Sequence, residues 1–407
     1  MTTPSRPSAR AQRPAPAARL AIGLTSLALV GATVAGPAGA SSATAAPVAS
    51  FGAAASPAAV ATATTAATAA PAVSAKPSTT VARPGARVSV TGQLKSAQPK
   101  TAVSLQRLHG RSWRTVASVT PPGTSAAARA YTLRVPTSAK GRTVFRVASV
   151  SNGGQRVGTS RPFTMLVGAG NPKSVGYLTT PPARWNPCSP VRYRVNLEGA
   201  PKGAAADIDA AIGQIAAGTG MRFVKVGTTG VVPGSKGQDV PDTYPKGTDL
   251  VVAFARPGDT RPAKRSAYLT KGSDIVGVGG AFFEPTPQRV GSGSWHRIVQ
   301  GYVVLDNTKK LPTGFGRGNS TGLLGTWGQV LMHELGHVVG LDHPTVSDPI
   351  QIMYPATTSK PAVWGAGDLV GLQRLGTASG CFPAARAATK SAAMSTDKVL
   401  PLDRPDH

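Results

Sequence analysis

Acidic residues are missing from the front half of this chain. No aspartate or glutamate precedes Glu198, and the only glutamates are Glu198, Glu284 and Glu334. The formal charge of +27 on 407 residues, of which 15% are charged, therefore reflects absent acids more than abundant bases. Cysteine is almost absent. Two thiols, Cys188 and Cys381, allow a disulfide, a metal pair or neither, and the compartment decides among them. Beyond the N-terminal forty residues no apolar run is long enough to span a bilayer, which excludes a transmembrane segment in the mature form.

The N-terminus sets the compartment. Arg6, Arg10, Arg13 and Arg19 precede the apolar run Leu20 to Val34 and the small-residue stretch Ala38-Gly39-Ala40, so residues 1–40 are expected to be a secretory signal. A membrane anchor is the competing reading, but Gly23, Thr25, Ser26, Gly31 and Thr33 leave the run short and weakly apolar. No adjacent arginine pair marks the export route. Export implies an extracellular, oxidising location, with the cell wall as one place of residence, where the two cysteines can pair.

Residues 41–75 are nearly all Ala, Thr, Ser, Pro, Val and Gly, a composition that reads as a disordered linker. Residues 76–168 change to short alternating runs, among them Val88-Ser89-Val90, Tyr131 to Val135 and Val144 to Val147, with turn residues between them. That pattern predicts a small all-β sandwich, with Trp113 as a candidate core aromatic. Fifteen Lys and Arg lie between Lys76 and Arg161 with no acid among them. The functional reading is a surface for an anionic cell-wall polymer; the bland one is a basic composition serving solubility. No recognised nucleic-acid module is visible, so no specific nucleic acid is expected.

A second domain is expected over 171–383. Val191 to Asn196, Phe223 to Val226, Asp249 to Phe254, Gly277 to Phe283 and Tyr302 to Leu305 read as strands. Asp207 to Ala217 and Gly367 to Leu375 carry helical spacing. A third helix, N-capped by Ser320 or Thr321, would bury Leu324, Trp327, Leu331, Leu335 and Val338. Cys188 and Cys381 flank this domain, and a disulfide between them would tie its ends; a thiolate metal ligand is the alternative. Residues 384–407 lack any period and are expected to be disordered.

The chemistry concentrates in HELGHVVGLDH, His333 to His343. Two imidazoles four apart share a helix face, so both can reach one ion. Glu334 sits where a carboxylate can touch a metal-bound water without ligating the metal. Gly340 can end the helix in a conformation other residues resist, returning His343 as a third ligand. From the chain's own composition, such a five-residue pattern would arise by chance about once in a million, so coincidence is a poor explanation. The remaining histidines, His109, His296 and His407, are too few and scattered for a second such site.

This stretch, with Met353 ten residues on in Ile352-Met353-Tyr354-Pro355, resembles the metzincin signature HExxHxxGxxH plus methionine turn, and within it the matrixin-like group. The basic segment resembles the immunoglobulin-like modules attached to secreted bacterial enzymes. The resemblance implies an α/β (α+β) zincin domain, with a mixed twisted sheet and three helices, behind an immunoglobulin-like sandwich. It implies a zinc endopeptidase holding one zinc on His333, His337 and His343, with Glu334 as general base. Met353 would form the floor beneath the metal. Pro355 would wall the pocket and Gly280 and Ala281 would lie on the substrate-binding edge strand. The substrate would be a protein or peptide. A thiolate-latency pro-segment is absent upstream, and Gly279-Gly280-Ala281 replaces the alanine-histidine-alanine strand of many matrixins. Calcium is allowed, but Asp274 and Asp306 are not identifiable ligands. Two other readings stand beside this one: an envelope-binding protein with a vestigial zinc domain, and a zinc amidase acting on cell-wall peptide.

Overall fold

The computed structural model describes residues 73–95, 100–123, 128–150, 156–235, 243–258, 264–383 and 400–402. The expected signal, nearly all of the linker, and the tail apart from 400–402 lie outside the described residues. Among the described residues no helix is long and apolar enough to cross a membrane.

Nine strands come first: β1 (Lys76–Pro77), β2 (Val81–Ala82), β3 (Val88–Leu94), β4 (Ala102–His109), β5 (Ser112–Val119), β6 (Arg129–Val135), β7 (Gly141–Val150), β8 (Arg156–Thr159) and β9 (Phe163–Val167). They form two sheets, β1-β3-β6 and β2-β9-β7-β4-β5, with β8 on β7. The alternation read in the sequence is the cause: Tyr131, Leu133 and Val135 point inward from β6 to meet Val90, Leu105, Phe145 and Met165. The core begins before the expected linker boundary, since Val73 bridges Leu94 and is fully buried.

Trp113 is not in that core. A register shift between Leu105 and Gln106 leaves Val116 unopposed, pairing Leu105 with Ala117 but Gln106 with Thr115. One inserted residue exchanges the two faces of the strand beyond it. Trp113 therefore pairs with Leu108 on the outer face, half-buried beneath Arg146, whose guanidinium carbon is 4.3 Å from the ring centroid.

The second half is mixed α/β with three helices. It runs β10 (Gly176–Tyr177), β11 (Ala183–Arg184), β12 (Val191–Asn196), α1 (Ala204–Thr219), β13 (Phe223–Thr228), β14 (Leu250–Pro257) and β15 (Arg265–Ser266). There follow β16 (Gly277–Phe283), β17 (Gln288–Val290), β18 (Gly293–Asp306), α2 (Trp327–Val338), β19 (Leu341–Asp342), α3 (Ala366–Leu375) and β20 (Leu400–Leu402). The main sheet has the order β13-β12-β14-β18-β16-β20. Its first four strands pair parallel, while β16 runs antiparallel to β18. Strand β14 is buried on both faces from Leu250 to Ala255, as a central parallel strand covered on two sides must be.

One expectation changes here. The cap of α2 is Thr326, whose Oγ1 accepts from the Gln329 N–H at 3.2 Å; Ser320, Thr321 and Leu324 stay in the loop before it. In the tail, the described residues 400–402 form β20, which pairs antiparallel with β16. A sheet edge offers unpaired N–H and C=O groups that an extended segment can satisfy.

The Cys188–Cys381 disulfide is present, joining residues 193 apart in sequence with a Cα–Cα distance of 5.5 Å. It ties the segment before β12 to the one after α3. The described residues fall within one compact unit. Within it, Leu166 of β9 is fully buried in the α/β core, and the Ala366 N–H at the start of α3 donates to the Ala169 carbonyl at 2.7 Å. The sandwich thus rests directly on α3.

Candidate metal centre

Helix α2 carries the first two histidines because it is buried on almost every side, His333 being its one half-exposed residue. Trp327 at its start packs edge-on against Phe254 of β14, with ring centroids 5.4 Å apart. At its far end Trp185 Nε1 donates to the Val338 carbonyl at 2.9 Å. Gly340 then turns the chain at φ +106°, in the left-handed region; a Cβ there would also lie 2.1 Å from the Ala183 carbonyl oxygen. Only glycine meets both demands.

The segment after Gly340 is fixed at three points. Strand β19 pairs with β10, matching Leu341 to Tyr177 and Asp342 to Gly176. Asp342 Oδ1 accepts the His343 N–H at 2.7 Å. Gly176 leaves room for the His343 carbonyl, which a Cβ would approach to 2.1 Å.

The three rings converge. His333 Nε2 lies 3.2 Å from both His337 Nε2 and His343 Nε2, and the ligand atoms all fall within 4.8 Å of one another. The tautomers of the first two are set by their partners. His333 Nδ1 faces the Ile352 carbonyl at 2.7 Å and His337 Nδ1 faces the Leu341 carbonyl at 2.9 Å. A carbonyl only accepts, so each Nδ1 carries the proton, and in the neutral ring each Nε2 presents its lone pair. Two lone pairs facing each other this closely repel unless a proton or a metal cation lies between them. The donor set fits a metal ion.

Glu334 is buried beside them. Desolvation pushes its carboxyl up to about 8, against the opposing pull of the Gly279 backbone N–H. Its Oε2 has no hydrogen-bond partner. Glycine at 279 is what lets β16 run against α2, since a Cβ there would lie 2.2 Å from the Glu334 backbone carbonyl oxygen.

Met353 is buried under the histidine helix. A Cβ on Gly336, between the two helical histidines, would sit 2.2 Å from its Sδ. The turn that carries Met353 is held from α3: Asp368 accepts the N–H groups of Ile352 at 2.7 Å, Gly365 at 2.9 Å and Met353 at 3.3 Å. Burial pushes the Asp368 carboxyl up to about 7 despite these donors.

A cleft of about 600 Å³ opens beside His333 and Glu334, walled by Val276, Leu323, Val330, Ile352 and Pro355. Of the residues expected to shape a pocket, Pro355 lines it. Gly280 and Ala281 do not; they sit further along β16, opposite Tyr302 and Gly301, and Ala281 also faces Leu402 of β20. Tyr354 is half-buried on the cleft wall. Asp368 and Asp348 escape a reading of the sequence, because the partners that tie them to other elements, Ile352 and Met353 for Asp368 and Asn171 for Asp348, lie far along the chain. Of the two acids considered for calcium, Asp306 is buried with its Oδ1 accepting from Thr308, and Asp274 lines the cleft.

No protein-family model matches the chain, and no curated protein matches it. Solved structures that align with part of it include a chain from work on T-cell activation by the bacterial superantigen toxic shock syndrome toxin-1, 13% identical, covering 24% of this chain and 99% of that one, with a TM-score of 0.18. Another is the CARDB domain of the PF1109 protein from Pyrococcus furiosus, 14% identical, covering 24% of this chain and 93% of that one, with a TM-score of 0.17. Scores this low carry no structural argument.

Proposed function

We propose that this chain is a secreted zinc endopeptidase of the metzincin type, matrixin-like in its α/β half and immunoglobulin-like in its front half. The observation that carries the proposal is the pairing of three convergent Nε2 atoms with one buried carboxylate oxygen, Glu334 Oε2, that has no hydrogen-bond partner among the described residues, where His333 and Glu334 line an apolar cleft. His333, His337 and His343 would hold the ion, and three neutral imidazoles favour zinc among the common divalent metals. When bound, such an ion supplies Lewis acidity and an acidified water. Glu334 Oε2 takes the proton of the attacking water and returns it to the leaving amine nitrogen. Met353 supports the histidine helix from below without offering a ligand. The substrate is a protein or peptide bound extended along β16, with one side chain in the Pro355-walled cleft. The disulfide supports an oxidising, extracellular setting.

The test is made on the purified full chain. One zinc per chain and chelator-sensitive peptide cleavage are expected, and Glu334→Ala should keep the metal while losing about 10²–10⁴-fold in turnover. Undiminished cleavage by that variant, or a chain that binds no metal, would overturn the proposal.

A further inference from the structure

The β4–β5 hairpin gathers positive charge in a segment of sequence that contains no acid. Arg107 and Arg114 are direct partners across the antiparallel pair, so their side chains leave the same face. Arg111 lies in the turn between them, and all three are exposed. On the opposite face of the same hairpin, Arg146 of β7 covers Trp113 and its Nε donates to Gln106 Oε1 at 2.9 Å. Four guanidinium groups thus surround one hairpin end.

Like charges directly opposite in a sheet are unfavourable, and proteins ordinarily relieve them with a neighbouring acid. No acid exists here to do so: the segment from Lys76 to Arg161 has none. The three ion pairs formed among the described residues, Lys225–Asp209, Lys264–Glu198 and Arg297–Glu284, all lie in the α/β half. Among the described residues no carboxylate forms an ion pair with Arg107, Arg111 or Arg114, so the arrangement is open to a counter-charge from outside.

We propose that this hairpin end is a docking site for an anionic glycan, a polymer whose sugar or polyol backbone carries repeating phosphate or carboxylate groups. Guanidinium forks pair bidentately with such oxyanions, and several at one hairpin end engage successive groups along one polymer. Two other polyanions fit less well. A nucleic acid wants open aromatic faces on which bases stack, and the ring of Trp113 is already covered by Arg146. A lipid surface wants an apolar wedge, and among the described residues of the sandwich Val116 is the one large hydrophobic that is exposed. The proposal stands whatever the α/β half catalyses.

The test uses the full chain with two polymers, polyglycerol phosphate and polygalacturonate, in a titration against salt. A single-stranded oligonucleotide and phosphatidylglycerol vesicles complete the panel. The triple variant Arg107→Ser, Arg111→Ser, Arg114→Ser should bind the preferred polymer at least about 30-fold more weakly at low salt. Its salt slope should fall by about two to three, roughly one for each anionic group no longer neutralised. The control triple Lys76→Ser, Arg83→Ser, Arg134→Ser removes equal charge from elsewhere on the sandwich, and should change binding less than about threefold. Preference for one polymer identifies the anionic group as phosphate or carboxylate. Equal weakening by both triples, absence of binding to either polymer at low salt, or tighter binding of oligonucleotide or vesicle than of both polymers would each overturn it. All six positions are exposed, and an unchanged melting curve for each triple shows that folding is not what was measured.

Discussion

Asp368 is linked to His333 through a single intervening residue. Its carboxylate accepts the Ile352 N–H at 2.7 Å, and the carbonyl of the same Ile352 accepts the His333 Nδ1 proton at 2.7 Å. A buried carboxylate on α3 therefore orients an imidazole on α2, as outer partners of metal-binding histidines commonly do.

Replacing Asp368 by Asn tests that link. Asn has one acceptor oxygen where the carboxylate has two, so one of the Ile352, Gly365 and Met353 N–H groups is left facing an amide N–H. A loss of about 2 kcal/mol in stability is expected from the stranded donor. Metal affinity should fall as well, by about 10–100-fold, because the ring of His333 loses its fixed setting. Equilibrium unfolding and competition with a chromogenic chelator read the two effects. An Asn variant with unchanged metal affinity would show that the Ile352 carbonyl is held by the turn alone.

Gly336 and Met353 compete for one space. Gly336→Ala places a methyl group where the Met353 sulfur lies, so the thioether must move or the helix must shift. Overpacking of this kind costs about 1–3 kcal/mol. Adding Met353→Ala should recover part of that loss, and the interaction energy from the double-mutant cycle checks the assignment. Strictly additive effects would place the strain elsewhere.

Asp348 supplies a pH signature. Burial works to raise its pKa but is outweighed by the Asn171 N–H, the Gln351 side-chain amide, the Ile350 N–H and Lys360, leaving it below the ordinary carboxylate value. A depressed acid stabilises the fold above its unfolded pKa of about 4, and that contribution is lost as pH falls through the folded value. Asp348→Asn should therefore destabilise at pH 7, by less than about 1 kcal/mol because solvent screens a carboxylate this little buried, and the difference from wild type should narrow as pH falls below about 4. Urea titrations at several pH values measure it, and a gap that does not narrow with falling pH contradicts the assignment.

Strand β20 lies on the β16 edge at Ala281 to Phe283, where the proposed substrate would run. Tail and substrate then exclude each other. Deleting residues 384–407 should lower KM for an extended peptide several-fold and leave kcat nearly unchanged, because only the competition is removed. A synthetic peptide of residues 396–407 should inhibit the shortened protein competitively. Identical KM values for both forms would mean that β20 does not block the edge in solution.

The candidate metal site is readable from the sequence because its information is local. His333, Glu334, His337, Gly340 and His343 fall within eleven residues, and helical geometry converts that spacing into a shared face. The cap of α2 is also written locally, as Thr326 three residues before Gln329, yet Ser320 and Thr321 are equally good capping residues by type. Gln329 spends its side chain on Thr358 rather than on its own cap, which weakens the usual pattern. Trp113 is displaced from the core by one unopposed residue, Val116, since alternation predicts a face only until a bulge intervenes. Asp368 and Asp348 cannot be found by spacing. Each has one local backbone donor, Ile350 for Asp348 and Gly365 for Asp368, but the Asn171, Ile352 and Met353 N–H groups are brought near only by the fold, and a lone Asp in a helix or loop looks the same whether it clamps a turn or faces water.

Leu166 belongs to the sandwich by sequence and to the α/β half by burial. A cut in the connector at 168–171 would therefore nick the chain without dividing it. Both pieces would travel as one particle through a sizing column and separate only in denaturant. Shedding the front module would strip a core residue and the support of α3 together, so the molecule that leaves such a cut intact is a two-chain version of the same body rather than a liberated α/β half.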